Sequence, residues 1–306
     1  MKQRGMALLS VLLLLAVMVA LAAVATERWF FSFHYGLRQH QRLQGRWFAA
    51  GAQAVAGGLL RLDALDDARH THLSQRWATS GENLPVATGQ LHMRIDDAQA
   101  CFNLNALEDD GARDVFIRLL TLSGIDAPQA QSIAAAAADW IGEGDEPRAG
   151  GAKDSEYAAL TPPYLTAQQP MWSVSELRQV RGVSAEIWRT LRPLLCALPV
   201  KTLAINVNTV MPAHWILLAA LAEDISEEDV RRWLAQRPAT GWDTLEAAFG
   251  GLKSLAGQRR FITLNSDYFH VRITTRMDDA WYRQRSLLQR SGGRINVLWR
   301  QQEMEE

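Results

Sequence analysis

Cysteine is scarce in this chain: 306 residues hold only Cys101 and Cys196. With no CxxC pair, a thiolate-built metal cluster is excluded, and so is the dense disulfide framework of a small secreted domain. Charge of one sign is lacking too. Lys and Arg number 32 against 33 Asp and Glu, a net charge of −1, which argues against a general nucleic-acid binder. No low-complexity tract exceeds the alanine stretch 134–138, and 48% of the chain is hydrophobic. One or two globular domains are therefore expected. Enzymatic constellations are missing as well. His34, His40, His70, His72, His92, His214 and His270 stand in no nucleophile or metal motif. The eleven tryptophans suit core and interface anchoring better than a cofactor box.

What is present begins with "RGMALLSVLLLLAVMVALAAVATER" at 4–28. The apolar run 6–25 is interrupted only by Ser10, and as a helix it spans roughly 30 Å, one bilayer core. Lys2 and Arg4 precede it and the first acid is Glu27, which keeps the start cytoplasmic and sends the remainder outward. Three readings compete. A secretory signal would be cut near 20–22 or 23–25. A signal anchor would stay uncut. A prepilin-type leader would be cut after Gly5, leaving the apolar helix on the mature protein.

Beyond the span the helical pattern continues. No proline occurs over 26–62, and Trp29, Phe30, Phe33, Leu37, Leu43, Trp47, Phe48, Val55, Leu59 and Leu62 recur mostly at helical spacings. The spacing predicts one helix from Met6 to near Leu62, half in lipid and half amphipathic, its upper half packing on a domain. Gly57-Gly58 weakens the far end.

Strand alternation appears at 89–105, 261–277 and 294–302, and between these segments the pattern turns helical. Three helix pairs are punctuated by short loops at 124–126, 182–184 and 224–226, each carrying a capping Asp or Ser. The expectation is an α+β protein: a long N-terminal helix and an antiparallel α/β body carrying an all-helical insertion over 106–262. The body takes 26–105 and 263–306. Cys101 and Cys196 fall near the base of that insertion. In an oxidising compartment they favour a disulfide, against the alternative of two buried thiols.

Helical hairpins also raise DNA binding through backbone N–H groups at a turn, and "INVNT" at 205–209 resembles membrane-anchored DNA-uptake receptors. The paired glycines of that motif are missing, however. Asp126, Glu223, Asp224, Glu227 and Glu228 would repel phosphate, and Arg178, Arg181, Arg189 and Arg192 read as a solvated helix face. A membrane-anchored helix-hairpin-helix DNA receptor is kept as the alternative function, and no nucleic acid is expected.

Taken in order, "RGMALLSVLLLL", "DAQACFNLNAL", "KDSEY", "SELRQVRGV", "PLLCALP", "INVNT", "SDYFHVRI" and "INVLW" carry a resemblance over nearly the whole chain. It resembles the K-type minor pseudopilins of the type II secretion system. That resemblance implies a pilin-like body with a large α-domain, and no enzymatic activity. It implies removal of the 1–5 leader by prepilin peptidase between Gly5 and Met6, with methylation of the new terminus. It also implies a single pass through the bacterial inner membrane, with the bulk periplasmic. The expected place is the pseudopilus tip, beside I- and J-type pseudopilins, with the H-type and the major G-type as further candidate partners. After cleavage Ser10 holds the fifth position, where most pseudopilins carry glutamate to neutralise the terminus of the subunit above. A serine there suits a topmost subunit, although an ordinary membrane anchor would also exclude a charge.

The same relatives bind calcium on an α-domain loop opening "Asp-Trp-Ile-Asp-x-Asp" and closing "Gly-x-Glu-Asp-x-x-Tyr". This chain reads "DWIGEGDEPRAGGAKDSEY" at 139–157. Gly142 and Gly144 replace two carboxylates and Lys153 a third. Calcium seeks six to eight oxygens, so weak binding at most is expected, with Asp145, Asp154 and Glu156 the best surviving ligands. The alternative is a solvated acidic loop ordered by Trp140 and Tyr157.

Overall fold

The computed structural model describes residues 3–79, 84–86, 89–278 and 280–303; residues 1–2 of the expected leader and 304–306 of the closing segment lie outside them. The first element is one unbroken helix, α1 (Gln3–Asp66), of 64 residues and so about 96 Å long. It passes straight through Gly57-Gly58 because residues on both sides, Ala56 and Leu60, are buried against the body. Packing outweighs the propensity cost of two glycines.

A short helix α2 (Arg76–Thr79) follows, then β1 (Leu84–Val86) and β2 (Gly89–Asp97). After β2 the chain leaves the body. It runs through β3 (Phe102–Asn103), α3 (Asp110–Leu122), α4 (Ala127–Ile141), α5 (Asp154–Ala158), α6 (Ala185–Leu191), β4 (Leu195–Cys196) and β5 (Ile205–Asn206). The excursion continues with α7 (Trp215–Ala219), α8 (Glu227–Ala235), α9 (Leu245–Gly250) and β6 (Ile262–Thr263). It then returns to β7 (Tyr268–Met277), β8 (Ala280–Ser291) and β9 (Arg294–Glu303).

The body sheet has the order β1-β2-β7-β8-β9, antiparallel throughout. Leu91, Met93 and Ile95 alternate inward as their spacing predicts, with Met93 opposite Ile273 and Ile95 opposite Val271. Gly292 and Gly293, both at positive φ, form the two-residue turn between β8 and β9.

The helical part is not purely helical. Two parallel bridges form its base, β3 with β4 and β5 with β6. Two-residue bridges are too short to leave a period-2 signal, which is why the pattern reads as helix throughout. The expected α3–α4 hairpin is present, with Asp126 capping α4 through the Gln129 N–H. The alanines 134–138 are buried mid-helix, where small side chains let α4 sit inside its own core. Phe102 stacks on Phe116 at 5.0 Å and Trp233 on Trp242 at 4.4 Å.

Candidate functional site

Three places could carry function: the free face of α1, the neck between body and helical part, and the loop that ends at Lys153. On α1 the buried face differs from the expected one. Gly45, Ala49, Ala52, Ala56 and Leu60 lie against the sheet, at helical spacing. A Cβ at position 45 would stand 2.8 Å from Thr275 Oγ1 and 2.9 Å from Tyr282 Cβ, so glycine there sets how closely helix and sheet approach. Gln53 adds a polar pin. Its Oε1 accepts from Gln284 Nε2 at 3.0 Å, Ser286 Oγ at 2.9 Å and Arg300 Nε at 2.9 Å.

The large apolar residues expected to face the domain mostly point away. Of the ten that define the periodicity, Phe48 and Leu59 are half-buried on the body core. The other eight are exposed, Trp47 by 77% and Trp29 by 69%. The reason is steric: along the line where α1 crosses, the sheet face is already filled by Phe269, Val271 and Tyr282, so the α1 residues in closest approach, Gly45, Ala49, Ala52 and Ala56, are small. Residues 8–40 are exposed on every side of the helix. Among the described residues α1 is the one helix long and apolar enough to cross a membrane. Gly5, Met6 and Ser10 all lie within it.

The neck is built by two polar clusters that the sequence showed as "NLN" and "INVNT". Asn103 donates to the carbonyls of Val200 at 2.7 Å and Thr202 at 3.1 Å and accepts from the Leu198 N–H at 3.0 Å. Asn105 bridges Met171 and Leu198. Cys101 and Cys196 are joined in a disulfide, their Cα atoms 5.8 Å apart, beside the β3–β4 bridge. At the second crossing, Asp97 Oδ2 accepts from Asn206 Nδ2 at 2.9 Å, Thr209 Oγ1 at 2.6 Å and Ser266 Oγ at 2.6 Å. Enclosure raises the Asp97 pKa above the ordinary carboxylate value, while these donors oppose the rise. These motifs are therefore structural ties. Of the arginine cluster, Arg181 donates to Gly150 O at 2.6 Å and Arg189 to Ala185 O at 3.1 Å.

The loop 142–153 does not gather the expected ligands. Asp145 is exposed. Asp154 accepts from Thr166 N at 2.8 Å and Thr166 Oγ1 at 2.5 Å, and from Gln168 Nε2 at 3.3 Å; the Thr166 hydroxyl bond holds its pKa below the usual carboxylate value. Glu156 accepts from the Lys153 N–H at 2.8 Å, capping α5, and that backbone bond lowers its pKa as well. No group of three or more His, Cys, Asp or Glu side chains placed to hold a metal occurs among the described residues. The donors present do not fit a calcium cage. Trp140 and Tyr157, which the alternative reading used to order the loop, pack edge-on at 5.4 Å.

Two models of the type II secretion system protein K family match residues 100–200 and 205–271. Type II secretion system protein K of Klebsiella pneumoniae is 40% identical, covering 98% of this chain and 96% of the relative. The same protein of Pectobacterium carotovorum subsp. carotovorum is 38% identical at the same coverage. This chain belongs to the type II secretion system protein K family. A solved structure of the GspK–GspI–GspJ complex from enterotoxigenic Escherichia coli superposes with a TM-score of 0.80 at 31% identity, over 87% of this chain and 98% of that one. The family models divide at 200/205, between the two crossings of the neck. In this chain the first lobe is closed by the disulfide and the β3–β4 bridge, the second by the β5–β6 bridge.

Two functional features went unread in the sequence. The Gly45–Ala49–Ala52–Ala56 stripe carries no hydropathy signal, although its spacing of small residues by three and four was visible. The role of Arg181 in tying a distant loop left no local trace.

Proposed function

We infer that this protein is the tip subunit of a type II secretion pseudopilus, initiating or capping its assembly from the inner membrane into the periplasm. Prepilin peptidase removes residues 1–5, and Met6 becomes the first residue of the mature helix. The I- and J-type pseudopilins are its direct partners, supported by the GspK–GspI–GspJ complex formed by its structural neighbour. The observation that carries this reading is the exposed apolar face of α1. It continues past one bilayer thickness, through Trp29, Phe30, Phe33, Leu43 and Trp47. An exposed aromatic band of this length marks an interface, and a helix is the complementary occupant for a helix face.

Co-purification of the full chain, in detergent, with I- and J-type pseudopilins tests it. A Phe33→Asp/Trp47→Asp variant should lose at least about tenfold of the recovered partner, as expected when central apolar anchors are replaced by charge. Its melting temperature should stay unchanged, because both side chains are exposed. Undiminished recovery of both partners would refute the assignment of this face.

A further inference from the structure

Three cations of the chain itself close the loop 142–153. The Lys153 side chain is buried, 2% exposed, and its ammonium donates to the Gly142 carbonyl at 2.7 Å. Arg148 forms an ion pair at 2.7 Å with Asp139, whose side chain is 0% exposed. Its backbone N–H adds a bond to Asp139 Oδ2 at 3.0 Å. Arg181 reaches across from the neighbouring segment to the Gly150 carbonyl. Backbone carbonyls and a buried carboxylate are the oxygen types that a hard divalent ion collects. Here N–H donors already engage the Asp139 carboxylate and the Gly142 and Gly150 carbonyls. A buried ammonium is retained only where acceptors offset its desolvation, and Gly142 supplies one because its backbone turns out of α4 at that point.

We propose that Lys153, with Arg148, is a built-in cation that holds this loop in the place of a divalent ion, so that this protein folds its helical part independently of calcium. The local charge pattern agrees. An ion entering beside Gly142 would meet the Lys153 ammonium and the Arg148 guanidinium. It would also meet Glu108, already paired with Lys201 at 2.8 Å. At a few ångströms like charges repel strongly in a partly dehydrated site. The two carboxylates that follow Lys153, Asp154 and Glu156, turn to Thr166 and to the α5 N-terminus instead. Gly151 sits directly on Asp139, where any Cβ would collide with Oδ2, so the loop is shaped around the Arg148–Asp139 pair. This inference is independent of the tip assignment.

Thermal unfolding of the full chain in detergent, with excess EGTA or with millimolar calcium, provides the test. The melting temperature of the natural protein should be the same in both. Lys153→Met keeps the volume of the side chain but leaves the Gly142 carbonyl without its donor. That loss should lower the melting temperature by roughly 3–10 °C in both conditions and open the loop to limited proteolysis. A drop of several degrees on adding EGTA to the natural protein would overturn the proposal, as would stoichiometric calcium in the purified protein. A Lys153→Met variant with unchanged melting and cleavage would overturn it equally. Should that variant fail to fold, the calcium comparison on the natural protein decides alone.

Discussion

At the scale of single residues, a polar group enclosed on the body sheet carries the most information. His270 on β7 lies against the Trp299 ring at a centroid distance of 5.8 Å, and its buried Nδ1 has no hydrogen-bond partner among the described residues. Burial first, then the neighbouring Arg285 and Arg272, push its pKa from 6.5 down to about 3, opposed by Asp96. The folded protein therefore keeps this imidazole neutral, while the unfolded chain takes up a proton below about pH 6.5. The stability it provides is complete at pH above that value and is lost as the pH falls toward the folded pKa. Replacing His270 with Phe should remove this dependence. Between pH 6.5 and 4, the natural protein should lose stability faster than the variant, by up to about 1.4 kcal/mol per pH unit, one proton's worth. Equal slopes in denaturant titrations at several pH values would show that His270 titrates normally.

At the scale of elements, the neck decides how the two parts behave. The disulfide joins residues 95 apart in sequence, and in the chain-entropy model such a loop contributes about 3–5 kcal/mol. Its removal leaves the Asn103 and Asn105 bonds and the Asp97 cluster in place. A Cys101→Ser/Cys196→Ser variant should therefore fold, yet melt well below the natural protein under oxidising conditions. With a reductant present throughout, the difference should vanish. A natural protein whose melting is indifferent to reductant would show the bridge adds nothing. Elements were unevenly legible. The strands at Leu91–Ile95 and the α3–α4 hairpin were readable because periodicity and caps act locally. The face of α1 was not. Its sequence shows large apolar residues at helical spacing but not which surface is already filled, and the sheet selects Gly45 and Ala49 over Trp47. The neck bridges were hidden for the opposite reason, since two residues of strand have no period. Lys153 was visible as a misfit in an acidic loop, but its partner Gly142 is set by the path of the backbone.

At the scale of the whole molecule, one long helix has to enter a stack of others. The folded body ends where α1 emerges from the sheet near Gly45, leaving residues 8–40 exposed on all sides. Neighbouring helices and lipid must cover that surface. In such a stack a carboxylate at the fifth mature position is matched by the amino terminus of the subunit above. Without that partner a charge inside the apolar run costs about 2–3 kcal/mol or more. Ser10 carries no charge, so a subunit with nothing above it avoids this cost. In cells, N-terminal sequencing that begins at Met6 would fix the mature register, whereas a start near Ala23 or Thr26 would mark an ordinary signal peptide. In that register, Ser10→Glu should leave the folded body and its melting temperature intact. It should cut the number of pseudopili or secreted protein severalfold, because a subunit placed at the tip would then bury an unmatched carboxylate. Normal assembly and secretion by the Ser10→Glu variant would mean that this position holds no information about the tip, leaving the exposed face of α1 as the ground for placing the subunit.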